Sequence, residues 1–304
     1  MMHNDFFDLF CERFFDDNVN KELFKVIDKV DSSSGVSDRY REIIDYFMYP
    51  QASGIKEVVN MLMVLSKDMD VNDYTLNTVF FISCSEILRE RFKEAELSDE
   101  LFWDTIADIK YKTYECIFCK DTVGIFVPEW FGSIFSMELL QFGRFQFHKV
   151  EFPMDFTTRS GKRLHKGQEI FNMHIPAGGG PLTREDCIKS FKLAYEFYKD
   201  DFEGDIMVIK CGSWMLNPDH PKFLPEGMNI LTFMEMFDLY ETYITENYLE
   251  IEGCRFFGNC FGMTYEELPE NTRLQRAYKK YLLEGNKPVN GRGVVLFDGE
   301  KIVN

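Results

Sequence analysis

The stretch from Gly167 to Trp214 reads as strand, glycine-rich loop, helix and strand, and this order constrains the fold more than any other feature of the chain. GQEIFNMHIP has the alternation of a strand, TREDCIKSFKLAYEFYKDD the spacing of a helix, and GDIMVIKCGSW the apolar run of another strand. A helix between two such strands makes a crossover, which sets the strands parallel. In the first of them Asn172 and His174 share one face, and Phe171, Met173 and Ile175 the other. Pro176 has no N–H to donate and ends the ladder. Gly178, Gly179 and Gly180 can take positive φ and leave no Cβ between the backbone and a ligand. Thr183, with Asp186 three residues on, reads as the helix N-cap. The loop suits a flexible connection, or a cradle where free amides and a helix N-terminus meet a phosphate.

Upstream, the apolar residues recur at helical spacing. Phe6, Phe7, Phe10, Phe14 and Phe15 form one such face behind an Asn4 or Asp5 cap, and Tyr40, Ile43, Ile44 and Phe47 another behind Ser37 and Asp38. SDELFWDTIADIKYKTYECIFCK reads as a Ser98-capped long helix. ELLQFGRFQFHKVEF then alternates as one long strand, NILTFMEMF fits either period, ENTRLQRAYKKYLLEG is a helix stopped by Gly285, and GRGVVLFDG closes the chain as a strand. The expected organisation is α+β: an all-helical domain over residues 1–125 and a mixed sheet flanked by helices over 126–304, consistent with a chain of 304 residues that is long for one core.

Lys and Arg number 34 against 51 Asp and Glu, a net charge of -17 that repels polyanions and argues against nucleic acid or anionic membrane as partners. A small phosphorylated ligand is still allowed, because aimed amides and nearby cations act within a Debye length of about 8 Å. The acid-interrupted start MMHNDFFDLFCERFFDD has neither the leader of a signal peptide nor the length of a span, so a cytoplasmic location is expected. Eight scattered cysteines then read as buried thiols without structural disulfides. CIFC at Cys116–Cys119 has metal-ligand spacing but no second pair, so no metal is expected.

Several stretches together resemble a two-domain bacterial acyltransferase family, with a helical N-terminal domain and a C-terminal domain like those of the GNAT N-acyltransferase superfamily. They are LQFGRFQF (Leu140–Phe147), HIP (His174–Pro176), GGPLT (Gly179–Thr183), CGSWMLNP (Cys211–Pro218), LP (Leu224, Pro225), NILTF (Asn229–Phe233) and LPENTRLQR (Leu268–Arg276), in one order over about half the chain. The resemblance implies that the two parallel strands, Gln168–Ile175 and Asp205–Trp214, splay to admit the pantetheine arm of acetyl-CoA or another acyl-CoA. It also implies that the loop Ile175-Pro176-Ala177-Gly178-Gly179-Gly180, with Thr183, binds the pyrophosphate. Ile175 stands where the superfamily usually has Gln or Arg.

The activity so implied is transfer of an acyl group from acyl-CoA to a small-molecule amine or peptide by direct attack, with the helical domain covering the cleft or recognising the acceptor. His174 is the candidate base, since an imidazole titrates near neutrality; Glu169 is the second choice, and Ser213 could orient the thioester. Tyr240 or Tyr243 could supply an acid. Two alternatives stand beside this: a non-catalytic acyl-CoA-binding or regulatory module, and acyl transfer through the Cys211 thiol.

Overall fold

The computed structural model describes residues 2–49 and 54–304, and the chain divides into two compact units, Met1–Leu140 and Gln141–Asn304. The first unit is helical: α1 (Asp5–Phe14), α2 (Asp17–Asp31), α3 (Ser34–Met48), α4 (Ile55–Met69), α5 (Asp73–Glu94), α6 (Asp99–Ile106), α7 (Asp108–Lys120) and the short α8 (Phe131–Phe135). Asn4 caps α1 by accepting from the Phe7 N–H at 2.9 Å. The central α5 is buried nearly all round, and its Phe80 and Phe81 meet Phe47 from α3 and Phe131 and Phe135 from around α8. This aromatic cluster is why the unit runs on to Leu140 rather than ending at residue 125: Phe131 stacks on Phe81 with centroids 4.4 Å apart.

Two helix boundaries differ from expectation. α3 begins at Ser34, ahead of Ser37, whose hydroxyl donates instead to the Val30 carbonyl at 2.7 Å. The run after Ser98 is two helices, α6 and α7, meeting at Ala107; Ser98 caps the first by accepting from the Leu101 N–H at 3.1 Å.

The second unit is built on a six-stranded sheet. Its strands are β1 (Leu140–Phe142), β2 (Phe145–Glu151), β5 (Glu169–His174), β6 (Met207–Ser213), β7 (Asp238–Tyr243) and β8 (Asn290–Phe297), in the order β1-β2-β5-β6-β8-β7, and β3 (Phe156–Thr157) with β4 (Arg163–Leu164) forms a separate hairpin. The expected long strand is thus a hairpin, because Gly143 at φ +61° turns the chain between β1 and β2. β5 and β6 pair in parallel through the crossover helix α9 (Arg184–Tyr198), whereas β2–β5, β6–β8 and β7–β8 are antiparallel. NILTFMEMF resolves as the helix α11 (Asn229–Glu235), after the short α10 (His220–Phe223); α12 (Cys254–Phe257) and α13 (Arg273–Leu283) follow, the latter capped by Thr272.

The sheet has two unlike faces. Phe145, Phe147, Phe171, Met173, Ile209 and Phe297 bury one of them, and α9 covers it with Phe191 and Tyr198, the latter 4.6 Å from Phe171 between ring centroids. On the other face Ile170, Val208, Val294 and Leu296 form a core with Phe152 and Leu164, and the β3–β4 hairpin lies against it through Phe156. Arg159 pins that hairpin: its backbone N–H donates to the buried Asp238 carboxylate at 2.7 Å, and its guanidinium bonds the same group. All eight cysteines are buried, and none is joined in a disulfide.

The end of β6 is held by a buried cluster. Trp214 packs on Phe256 at 5.0 Å and Tyr278 at 6.0 Å, and His220 Nε2 lies 2.5 Å from the Tyr278 hydroxyl. Gly291 opposite Ser213 leaves room for this turn, since a Cβ there would sit 2.0 Å from the Leu216 carbonyl oxygen. Burial pushes the His220 pKa down to about 4. An unfolded histidine takes its proton near 6.5, so between these values the unfolded state binds more protons and stability falls as pH drops. Denaturant unfolding at pH 7 and pH 5 should show a loss at the lower pH, of which His220 accounts for about 2 kcal/mol. His220→Gln should narrow the difference between the two pH values, and an unchanged difference would contradict this assignment.

Candidate active site

The registered pairing between β5 and β6 consists of Phe171 with Ile209 and Asn172 with Lys210. Beyond it β5 continues to His174, held from its outer side by Gln146 of β2, and β6 to Ser213, held from its outer side by Gly291 of β8. Each strand is anchored away from the other. The assigned pairing thus stops two residues before the end of β5 and three before the end of β6, and the glycine loop follows directly on β5.

That loop is shaped by residues on both sides of it. Gly179 and Gly180 have φ of +94° and +87°, a region that side-chain-bearing residues rarely adopt. Thr183 caps α9 as expected, accepting from the Asp186 N–H at 3.1 Å. Because Glu185 and Asp186 stand in the first turn, this helix end carries its own negative charge, and an anion would be held by the loop rather than by α9.

The cation for such an anion comes from elsewhere in the chain. Gly143 packs so close to α9 that a Cβ would lie 2.8 Å from Ser190 Oγ, and the Arg144 backbone N–H donates to that hydroxyl at 2.6 Å. The turn so fixed sends the Arg144 guanidinium to the Pro176 carbonyl oxygen, 2.9 Å away, with Arg144 Cδ 3.5 Å from where a Gly179 Cβ would stand. Arg144 thus sits against the loop whose own leading residue, Ile175, is apolar and half-buried. Sequence reasoning missed it by reading Gly143-Arg144 as part of a strand; the glycine interrupting the alternation was the available signal.

His174 ends β5, past the last assigned pair with β6, and does not stand alone. Asn172 Nδ2 is 2.7 Å from His174 Nε2 and 3.2 Å from His148 Nε2, and the two imidazoles meet edge to face at 4.9 Å. The β2–β5 register, which sets His148 opposite Asn172, brings the three together. The amide can meet the rings in two orientations, because its oxygen and nitrogen occupy equivalent positions. As placed, Nδ2 donates to both Nε2 atoms and each ring carries its proton on Nδ1; with the amide turned so that its oxygen faces inward, it accepts Nε2–H from both rings and the His174 lone pair is at Nδ1. Only this arrangement makes Nδ1 a base.

The other sequence candidates lie apart from this cluster. Glu169 is at the opposite end of β5, about 16 Å along the strand, on the α9 face and 3.8 Å from Lys149. Ser213 ends β6 and accepts from the Met215 N–H at 3.1 Å, capping the next turn. Tyr240 packs on Phe152 with centroids 5.2 Å apart, and burial raises its pKa to about 12; the Tyr243 ring lies 4.4 Å from the Arg292 guanidinium. A cleft of about 620 Å³ opens near Glu169, but Glu169, Asp200, Asp201 and Glu203 outnumber Lys149 and Lys162 there, an unfavourable field for a phosphorylated ligand. Among the described residues no group of three or more His, Cys, Asp or Glu could hold a metal ion, and no helix is long and apolar enough to cross a membrane.

Two family models match the chain. Residues 5–137 match the N-acyltransferase N-terminal domain and residues 139–295 the GNAT-like C-terminal domain. The chain belongs to this GNAT-like family. Among solved structures, a mutant acyltransferase in complex with octanoyl-CoA superposes with a TM-score of 0.69 at 17% identity, over 94% of this chain and 86% of its own. An acyltransferase in complex with decanoyl-CoA and teicoplanin gives 0.62 at 20% identity, over 85% of this chain and 76% of its own. These likenesses show that the fold, a helical unit followed by a GNAT-like unit, is shared over most of the chain. No curated protein matches the sequence.

Within the GNAT-like sheet, Cys211 faces α9, away from His174, and burial raises its pKa to about 12. A thiol so placed is not a nucleophile near neutrality. Iodoacetamide at pH 8, followed by peptide mass spectrometry, should leave Cys211 unlabelled in the folded protein and label it in denaturant. Rapid labelling of the folded chain would restore thiol chemistry to consideration.

Proposed function

We propose that the protein is an acyl-CoA-dependent N-acyltransferase that transfers an acetyl or longer acyl group directly to an amine. The observation that carries this reading is the conjunction at one place of the β5–β6 opening, the glycine loop with Arg144 against it, and His174 at the mouth. The similar structures that hold decanoyl-CoA and octanoyl-CoA support the donor, and the one that also holds teicoplanin supports a small-molecule or peptide-like acceptor.

The chain's residues would divide the work as follows. Amides of the glycine loop, together with Arg144, bind the pyrophosphate, and Arg144 takes the place of the polar residue that the loop lacks at Ile175. Backbone amides at the open strand edge orient the thioester and polarise its carbonyl. His174 accepts the amine's proton at Nδ1 as the new C–N bond forms and the C–S bond of the thioester breaks, and CoA leaves as its thiol or thiolate. Holding amine and thioester together supplies much of the acceleration. The cytoplasm, which keeps buried thiols reduced, is the compartment this reading assigns.

Thermal unfolding with CoA, acetyl-CoA and longer acyl-CoAs tests the donor. Saturation at about 100 times the dissociation constant adds roughly 2.7 kcal/mol to the folded state, a rise of several degrees. Arg144→Ala should weaken that binding by about 10- to 100-fold, the worth of charge-assisted hydrogen bonds. His174→Ala should preserve binding and lower turnover by about 10²- to 10⁴-fold. No shift with any CoA species would defeat the proposal, and binding without turnover over a broad amine panel would make the protein a non-catalytic acyl-CoA module.

A further inference from the structure

The polar end of the sheet face that carries His174 extends across four more strands. Asn172 is in register with Lys210 of β6, Gly212 with Arg292 of β8, and Arg292 with Glu241 of β7. Registered neighbours share a face, so His148, Asn172 and His174 continue into Lys210, Gly212 and Arg292 along one surface. From strand spacing, the Lys210 Cα lies about 5 Å from that of Asn172 and about 8 Å from that of His174. Toward the other end of β5 and β6 this face is closed by the Ile170, Val208 and Leu296 core, so the polar end is a bounded patch.

Charge in the patch is not balanced. The carboxylate of Glu241 bonds Arg292 at 2.5 Å, and Tyr243 stacks beneath the same guanidinium. Lys210 is half-buried and, among the described residues, has no hydrogen-bond acceptor or carboxylate paired with its ammonium. Burial, and then the charge of Arg292, lower its pKa. A chain with 17 more acidic than basic charges thus leaves a partly desolvated lysine on its candidate catalytic face without an acid. Gly212 keeps the adjoining floor bare: a Cβ there would stand 3.5 Å from Arg292 Cγ and 3.7 Å from the Tyr243 hydroxyl.

We propose that Lys210, with Arg292 beside it, is a carboxylate-binding subsite, and that the acceptor is an amine bearing a carboxylate, which Lys210 holds while His174 faces the amino group. This rests on the reading of the β5–β6 opening as the transfer site. The acceptor's carboxylate supplies the partner that the chain withholds from Lys210. The overall negative charge repels such a molecule at long range, so selection takes place at contact distance, where a charge-assisted hydrogen bond acts.

The test compares matched neutral and anionic ligands on CoA-loaded protein. N-acetylglycine against N-acetylglycinamide, and hexanoate against hexanamide, are titrated by NMR into wild type, Lys210→Met and Lys210→Arg. Wild type should bind each carboxylate about tenfold or more tightly than its amide. Lys210→Met should erase the difference, Lys210→Arg should keep it, and neither should lower the thermal midpoint by more than a degree or two, since Lys210 has no pairing to lose. Equal binding of acid and amide by wild type, no binding of either acid, or a preference that survives Lys210→Met each overturns the proposal. Loss of CoA affinity in Lys210→Met with the preference intact also overturns it, by assigning Lys210 to the donor. CoA binding measured on the same samples separates this failure from that of the transfer-site reading, which falls if wild type does not bind CoA.

Discussion

The structure of the second unit turns on a short parallel register. β5 and β6 are the one parallel pair among its assigned registers, and they share only two residue pairs before continuing beyond them. α9 makes them parallel by crossing over one face, while β2 and β8 hold them from outside. A fully paired β5–β6 ladder would have its backbone groups occupied by each other and no opening to offer. Because the register is short, Lys210 stands at its last pair, and His174 and the loop follow directly beyond it.

The two faces of the sheet then differ: one is buried along its length and the other has a polar end. α9 buries aromatic rings and the Cys211 thiol on one side, where burial makes the thiol inert. On the other, the β3–β4 hairpin covers the apolar end and leaves the polar end for His148, Asn172, His174, Lys210 and Arg292. Alternation along each strand is what allows one residue to stabilise the sheet and the next to face the gap.

Much of this architecture was legible in local patterns. The crossover followed from a change of period, and the Thr183 cap from a hydroxyl three residues ahead of an acid. Alternation placed Asn172 and His174 on one face. The rest depended on which strands become neighbours. His148 joins Asn172 only because the chain turns at Gly143, which in a linear reading merely interrupts a strand. The isolation of Lys210 depends on β8, the last strand of the chain, entering between β6 and β7 and bringing Arg292 already paired with Glu241. Glu169 looked suitable as a carboxylate on the right strand, but its distance along that strand and its opposite parity put it on the other face. Likewise the break between α6 and α7 at Ala107 does not disturb helical spacing, so periodicity alone read one helix.

We propose that acyl-CoA enters between the C-terminal ends of β5 and β6 and rests on the glycine loop. Amide hydrogen exchange of the segment 173–180, measured with and without a saturating acyl-CoA, tests it most directly. Exchange should slow from the end of β5 through Gly180, with no comparable change near Glu169 or Asp200. Protection confined to the Glu169 end, or acyl-CoA binding that leaves 173–180 exchanging as before, would contradict it.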